Sequence, residues 1–512
     1  MNNSPLKSIT IVGGGSTGWM TALYLSKLYN HSSNIIDIRL IESKEIGIIG
    51  VGEATVHSLR FFFAAMGLDE NELLRETNAT LKTGILFRNW MKPVDGKMHE
   101  YFHPFEQQKP SGKIDNASAW ILNNQINESN STPFAEATSL SFSLMQNNLS
   151  PKTHYLNQYQ GIVPYGYHLD ATLMAAFLKR KATQAGVEHV EANVTDVLVN
   201  DGNITEVVTD LGSFKSDIFI DCTGFKGLLI QSLKNDNWQS FETELPCNKA
   251  VAMQREYLPH QLPRAYTTAT ALSHGWVWEI DLTNRQGTGY VYDGNSLTRE
   301  QAEAELKAYL GDEQEIIRTV HLDMKIGCRR EFWVGNCIAM GLAGGFIEPL
   351  ESTGLHLINL GARLLATHLT SSNPSQAIRT SYNTAMNGLY TDLRQFIVLH
   401  YCLTDRNDNE FWQKAAQSSA FIPALEQKMT LWKDKVCEYV DLANGYSSVF
   451  TDENYRYVLY GMQHIPEIHI PCPKTEISRI LDNLKTQQFR AKEQSLSHQE
   501  FLAKIKNNKE QD

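Results

Sequence analysis

Ser8-Ile9-Thr10-Ile11-Val12-Gly13-Gly14-Gly15-Ser16-Thr17-Gly18-Trp19-Met20 decides how this chain folds. The run 8–12 is β-branched and apolar, so it reads as a strand. The glycines then break the pattern, and an apolar-periodic segment from Trp19 to Tyr29 follows as a helix. Gly13, Gly15 and Gly18 permit a tight turn, the close approach of a pyrophosphate and the packing of helix on strand, with Ser16 and Thr17 at the helix start. A second strand, Ile38-Arg39-Leu40-Ile41-Glu42, ends in an acid placed to accept hydrogen bonds from a ribose. A lone glycine motif is weak evidence and also fits a structural turn. Two strands, a helix and Glu42 in register make a dinucleotide site the better reading.

The 512 residues exceed the roughly 250 to 300 at which single cores stop growing, so two domains or one elaborated one are expected. The 42% hydrophobic and 20% charged content belongs to a soluble globular protein. A net charge of −11 supplies no sustained basic face for phosphates, so nucleic acid is not an expected partner. No run approaches about eighteen apolar residues, and Met1 to Lys7 leads straight into a strand without an apolar signal region. The protein therefore reads as cytoplasmic with no membrane partner. Seven scattered cysteines without a Cys-x-x-Cys pair suggest neither a zinc site nor a disulfide framework.

A second glycine loop, Ile49 to Thr55, precedes a helical run from Val56 to Met66 and suggests a cofactor covered on more than one side, which draws in Gly52, Glu53 and Ala54. The apolar strand ending in Asp221-Cys222-Thr223-Gly224 looks like the later strand by which many FAD proteins return to the dinucleotide. It favours a glutathione-reductase-like FAD fold over a simple NAD Rossmann domain. Lys82 stands among apolar and small residues in Leu81 to Trp90, and on that evidence alone reads as a solvated strand lysine. Residues 106–160 look like long surface loops with some helix, Tyr165 to Gly186 like an amphipathic helix, and 476–512 like a polar helix with a frayed end. Trp276 and Trp278 share one face of a strand, which for isolated aromatics usually means packing.

Gly341 to Gly354, Gly-Leu-Ala-Gly-Gly-Phe-Ile-Glu-Pro-Leu-Glu-Ser-Thr-Gly, is a loop feeding a helix, with Pro349 forbidding helix before it and Ser352 expected as the N-cap. The first amides, near Thr353 and Gly354, are then an anion site, and Glu348 and Glu351 stand beside it. An ordinary capped helix accounts for the segment as well. Beyond residue 375 the pattern turns helical, which sets the expected division into 1–375 and 376–512.

Together these segments resemble the flavin-dependent halogenases of the tryptophan halogenase family, over nearly the whole chain. The motifs that carry the likeness are Gly13 to Met20, Gly50 to Thr55, the lysine strand around Lys82, Gly275 to Ile280 (Gly-Trp-Val-Trp-Glu-Ile), Gly335 to Leu357 and His400 to Trp412. One departure stands out, since the family's Trp-x-Trp-x-Ile-Pro box ends in proline where this chain has Asp281. The resemblance implies an α/β FAD-binding core, box-shaped, with a mainly helical C-terminal region covering the substrate. It makes Lys82 the catalytic lysine, with Glu351 near it across the substrate and Ser352 close to the flavin. Thr353 and Gly354 become the halide site, and Trp276 and Trp278 the pair that discourages monooxygenation.

The implied reaction uses reduced FAD (FADH2), O2 and chloride or bromide to form hypohalous acid, which reaches Lys82 and halogenates an electron-rich indole-type aromatic such as tryptophan or indole. A separate NADH-dependent flavin reductase would supply the reduced cofactor, and a homodimer is compatible with the family. His103 and Phe105 match the rings that sandwich an indole, and the segment 446–460, with Phe450 and Asn454, the opposite wall. Val449-Phe450 replaces the Phe-Trp pair of tryptophan-specific members, and Glu438-Tyr439 and Gly445 stand near the positions that clamp the amino-acid group. The alternatives are an FAD-dependent aromatic hydroxylase, which would need neither Lys82 nor a halide site, and a non-catalytic flavin-binding protein.

Overall fold

The computed structural model describes residues 4–31, 33, 35–45, 52–107, 112–127, 132–311, 313–442 and 449–507. Gly50 and Val51 of the second glycine loop lie outside the described residues, as do Gly445 and Tyr446. Contacts gather the chain into two compact units, each assembled from three stretches. Met1–Ala79, Leu169–Glu242 and Met324–Thr391 form the first, and Thr80–His168, Thr243–Asp323 and Asp392–Asp512 the second.

The first unit is built on a six-stranded sheet in the order Trp333–Val334, Cys337–Ala339, Ile218–Asp221, Ser8–Val12, Asp37–Glu42, Glu188–Glu191. All neighbours run parallel except the first pair. Strands covered on both faces must be apolar throughout. Ile9, Ile11, Leu40, Ile218, Phe219 and Ile220 are accordingly buried completely. The expected α/β fold of Rossmann type is thus present, and the strand ending in Asp221 lies beside the first strand, as its sequence suggested. Helices Ser16–Tyr29 and Gly354–His368 pack together, and the Tyr29 hydroxyl donates to the Ala366 carbonyl at 2.9 Å.

The second unit holds a seven-stranded sheet in the order Ile316–Asp323, Lys249–Arg255, Gln286–Tyr292, Gly275–Asp281, Thr267–Ala271, Gly84–Arg88, Glu100–Pro104. Only Thr267–Ala271 and Gly84–Arg88 pair in parallel. Beyond Gln376 the described residues form helices and no strand.

Several local expectations give way. Tyr165 to Gly186 is not one helix: strand Gly166–Asp170 precedes helix Ala171–Gln184. Tyr165, Tyr167 and Leu169 alternate at the strand period, and the Asp170 carboxylate starts the helix by accepting the amides of Thr172 and Leu173 at 3.0 and 3.1 Å. Among the described residues of 106–160, the expected helix amounts to three segments, and 147–160 is irregular as expected. Helices Asn116–Ile126, Phe134–Thr138 and Leu140–Gln146 lie there, and the buried Glu106 carboxylate accepts from Ser139, Leu140 and Ser141 at the start of the third. The polar stretch from 474 is two helices, Lys474–Gln494 and His498–Asn507. The first buries Ile477, Ile480, Leu484 and Ala491, and the second His498, Phe501 and Ile505. Sparse apolar residues at helical spacing suffice to seat a charged helix. All seven cysteines are free thiols, and no described helix is long and apolar enough to cross a membrane.

Candidate active site

In the first unit the dinucleotide loop is shaped by backbone crowding. Gly13 has φ +116°, and a Cβ there would sit 2.2 Å from the Cys222 carbonyl oxygen, so only glycine lets the Asp221-Cys222-Thr223 turn come this close. Its amide donates to the Ile41 carbonyl at 2.9 Å, which ties the loop to the end of the second strand. At Gly15 a Cβ would meet nothing within 4 Å. That open space lies at the N-terminus of helix Ser16–Tyr29, whose N-cap offers no side-chain hydrogen bond and whose first turn has no acid. Uncapped amides facing free space suit a pyrophosphate.

Glu42 ends the second strand as expected, but its carboxylate is already bridged by Lys179 at 2.6 Å and lies 2.8 Å from His189 Nε2. A ribose would share this acid with Lys179 and His189. Glu53, on strand Gly52–Ala54, has a buried Oε2 with no hydrogen-bond partner among the described residues. Burial, helped by the charge of Asp170, pushes its carboxyl up to about 7. A carboxyl of this kind near neutrality is equipped to donate a hydrogen bond, and this donor and the open helix start at Gly15 are both of a kind that FAD fits.

The Gly341–Ala343 turn joins this site. A Cβ on Gly341 would lie 2.3 Å from the Thr17 hydroxyl, and the Met340 amide donates to the Asp221 carbonyl at 2.9 Å. The chain then makes a 3-10 turn, Pro349–Glu351, with Glu348 and Glu351 both fully buried. Ser352 is not the N-cap. It takes a left-handed conformation (φ +58°) that redirects the chain, and Thr353 caps helix Gly354–His368 without a side-chain bond. Proline opening the 3-10 turn shifts the helix start by one residue. Gly354 is exposed and a Cβ on it would meet nothing within 4 Å, so the first turn of a 15-residue helix faces room for an anion.

In the second unit, Lys82 ends strand Thr80–Lys82 and is completely buried, against the solvated reading that its short motif favours. Its Nζ lies 5.2 Å from the centre of the Phe105 ring, a cation–π distance. The register explains this neighbour: Gly84 pairs with Pro104, and the Phe105 amide reaches the Thr83 carbonyl at 3.4 Å. His168, one strand away, is held neutral, its pKa lowered to about 3 by burial and then by the charge of Lys82. His168 connects the Thr80 hydroxyl at 3.0 Å with the Thr267 hydroxyl at 2.8 Å. The strand under the lysine is therefore pinned by neutral hydrogen bonds.

His103 is buried two residues from Phe105, and the Asn454 amide nitrogen lies 2.9 Å from its Nε2. Because Asn454 Oδ1 accepts from the Thr451 amide at 3.0 Å, its Nδ2 is the donor and His103 Nε2 the acceptor. Phe450 lies 6.1 Å from the His103 ring and stacks on Phe396 at 3.9 Å. The expected catalytic Lys82 and the expected substrate residues His103, Phe105, Phe450 and Asn454 thus all belong to the second unit. Phe396 and His400 were missed; they are one turn apart on helix Gln376–Cys402, and His400 Nδ1 donates to the Phe396 carbonyl at 2.9 Å. His400 opens the motif His400 to Trp412 that carries part of the resemblance, whereas for Phe396 the only signal was its helical spacing from that histidine, which is common in ordinary cores.

Trp276 and Trp278 do share a face, with ring centres 6.3 Å apart. Trp278 occupies the space over Gly289 on the neighbouring strand, and Trp276 Nε1 is buried without an acceptor among the described residues. Asp281, in place of the proline, continues the strand opposite Gln286. Its buried carboxylate takes Arg264 Nε at 2.9 Å, the Arg264 amide at 2.8 Å and Gln286 Nε2 at 2.9 Å. The FAD-loop residues and Glu351 to Gly354 belong to the first unit, and Lys82, the aromatic wall and the tryptophan pair to the second.

The family of tryptophan halogenases matches residues 8–475. The chain is 35% identical over 453 residues to tryptophan 6-halogenase SttH of Streptomyces toxytricini, covering 85% of each chain. A crystal structure of a tryptophan halogenase from Shewanella frigidimarina superposes with TM-score 0.90 at 30% identity, covering 98% of both chains. The tryptophan C-6 flavin-dependent halogenase (chlorinase) from taromycin biosynthesis gives 0.88 at 32% identity, over 98% of this chain and 100% of that one.

Proposed function

Because this chain belongs to the tryptophan halogenase family, flavin-dependent oxidoreductases that use reduced FAD and chloride or bromide, we propose that it halogenates an electron-rich indole-type aromatic through Lys82. The observation that carries the reading is the complete burial of Lys82 with its Nζ over the Phe105 ring. A lysine that leaves water loses several kcal/mol of solvation, of order 5, and a strand fold alone gives no reason for one there.

Bound reduced FAD supplies, with O2, the oxidising equivalent that converts halide to hypohalous acid. The chain's own residues do the rest. The amides at Thr353 and Gly354 hold the halide at the positive end of helix Gly354–His368. Lys82 receives the hypohalous acid, either as a hydrogen-bond donor from its ammonium or, as the neutral amine, by forming an N–halogen bond as the O–halogen bond breaks and water leaves, and so fixes where the electrophile meets the ring. His103, Phe105 and Phe450 hold the arene by stacking, and Asn454 fixes the orientation of the His103 ring. Glu351 accepts the proton released when the ring rearomatises, a role suited to a fully buried carboxylate. Trp276 and Trp278 discourage monooxygenation of the arene. The reduced cofactor comes from a separate NADH-dependent reductase, and the protein works in the cytoplasm.

The test gives purified protein FAD, a flavin reductase, NADH, O2 and bromide, with tryptophan and indole in parallel, and reads products by mass spectrometry. A bromine isotope pair is expected. Lys82→Ala should lose product by at least about 100-fold while reduced flavin is still consumed. A gain of one oxygen in place of bromine, or full product yield from Lys82→Ala, overturns the reading.

A further inference from the structure

We infer that His498 is a positioning residue for Lys82: its imidazole supplies the acceptor that the edge of the lysine strand lacks and ties that strand to the Pro263–Ala265 segment. The inference rests on the halogenase reading but concerns a residue more than 400 positions away in sequence.

Strand Thr80–Lys82 pairs on one side with Gly166, Tyr167 and His168. The Leu81 amide, immediately before the lysine, points elsewhere and donates to His498 Nε2 at 3.3 Å. A strand neighbour would normally provide that acceptor. The other ring nitrogen, Nδ1, donates to the Pro263 carbonyl at 3.1 Å. Two residues on, the Ala265 carbonyl accepts from the Thr83 amide at 2.8 Å and from its hydroxyl at 3.0 Å. The residue before Lys82 and the residue after it are therefore held by one short segment, with His498 as one of the two links.

The segment is itself braced. Asn148 donates its Nδ2 to the Pro263 carbonyl at 3.0 Å, accepts the Ala265 amide on Oδ1 at 3.2 Å, and takes the His498 amide on its own carbonyl at 3.0 Å. His498 is fully buried at the start of helix His498–Asn507, whose Phe501 and Ile505 seat it. Donating from one nitrogen while accepting on the other requires a neutral ring, and burial lowers its pKa to about 4. Catalysis by a tethered electrophile is sensitive to position, with about 1 Å of displacement costing about 100-fold. A loosened lysine would also strike more than one ring position.

The experiment compares His498→Phe, which keeps the bulk and removes both bonds, with His498→Gln, whose amide offers a donor and an acceptor. Four quantities are read: apparent Tm, hydrogen exchange in the peptide spanning 79–84, brominated product per reduced flavin consumed, and the ratio of regioisomers. His498→Phe should exchange faster at Leu81, lose about 5-fold or more in product per flavin and broaden the regioisomer ratio, and His498→Gln should restore all three. If His498→Phe does not fold, His498→Asn, which reaches Pro263 but not Leu81, should give the same broadened ratio. A wild-type ratio and yield in folded His498→Phe or His498→Asn overturns the inference, as does a yield that only tracks the loss of folded protein. Absence of any brominated product from the wild type would instead sink the halogenase reading, and the exchange measurement would still decide whether His498 holds the strand.

Discussion

Replacing Asp281 by alanine tests whether the residue that stands in for the family's proline is a structural member of the second unit. The carboxylate is fully buried and accepts from Arg264 Nε at 2.9 Å, Arg264 Nη2 at 3.1 Å, the Arg264 amide at 2.8 Å and Gln286 Nε2 at 2.9 Å. Its removal leaves a guanidinium whose side chain is only 22% exposed. Breaking one side of such a buried pair costs about 3–5 kcal/mol. Arg264 keeps Glu279 at 3.2 Å and the Thr268 hydroxyl at 3.2 Å, so the low end, about 3 kcal/mol, is expected. Arg264→Met in the Asp281→Ala background removes the stranded charge, and the double variant should recover about 2 kcal/mol relative to the sum of the singles. Urea unfolding by tryptophan fluorescence, with hydrogen exchange resolving the second unit, measures both numbers.

The sign with pH follows from the same pair. Burial alone would raise the Asp281 carboxyl, but the charge and hydrogen bonds of Arg264 outweigh it and hold the group below its ordinary value. Its stabilisation is therefore complete above the unfolded value of about 3.9 and lost as pH falls through the lower folded value. The gap between wild type and Asp281→Ala should narrow only below about pH 4. A gap under about 0.5 kcal/mol at pH 7 would refute the reasoning, because it would mean that the ion pair returns no more than its desolvation cost.

Two further variants probe the dinucleotide site. Gly13→Ala forces a Cβ to 2.2 Å from the Cys222 carbonyl oxygen at φ +116°, so it should destabilise the apo protein by at least about 2 kcal/mol in thermal or urea unfolding. Gly15→Ala meets no protein atom within 4 Å and should leave that stability within about 0.5 kcal/mol while weakening FAD binding, read by flavin fluorescence, by about 10-fold or more; equal effects of the two would contradict the assignment of the open space to the cofactor. Glu53→Gln tests the buried carboxyl. With a folded value pushed from 4.5 to about 7, the native state holds the extra proton between those values, so the contribution of Glu53 falls as pH rises through that window, against the opposite contribution of the buried neutral histidines His168 and His498, and the pH slope of apo stability should become more positive in the variant. An unchanged slope would place the titrating group elsewhere.

Much of the fold was legible because its signals are local. The β-branched run 8–12, the glycines after it and the helix period from Trp19 each constrain the backbone within a few residues, and they landed as strand, turn and helix. The alternation around Trp276 did the same for strand Gly275–Asp281. Misreadings arose where two local signals competed. At 165–186 the helix period of the later residues masked the strand that Asp170 ends by capping the helix. At 349–354 a serine before an apolar run suggested a cap, whereas Pro349 had already begun a 3-10 turn that left Ser352 in a left-handed conformation.

The candidate site divides along the same line. Sequence by itself placed the glycine loop between the first strand and helix, put the helix start after Pro349 to within a residue and, through resemblance, singled out Lys82 and its expected partners. Those depend on residue types at short spacing, which physical chemistry restricts strongly. Tertiary structure alone decided that Lys82 is buried, that Phe396 stacks on Phe450, that Asp281 is paid for by Arg264, and that His498 reaches the amide beside the lysine. Burial and partner choice depend on which distant segments are brought into register, and a lysine in a short strand or a histidine in a charged helix looks the same in sequence whether or not another segment arrives to cover it.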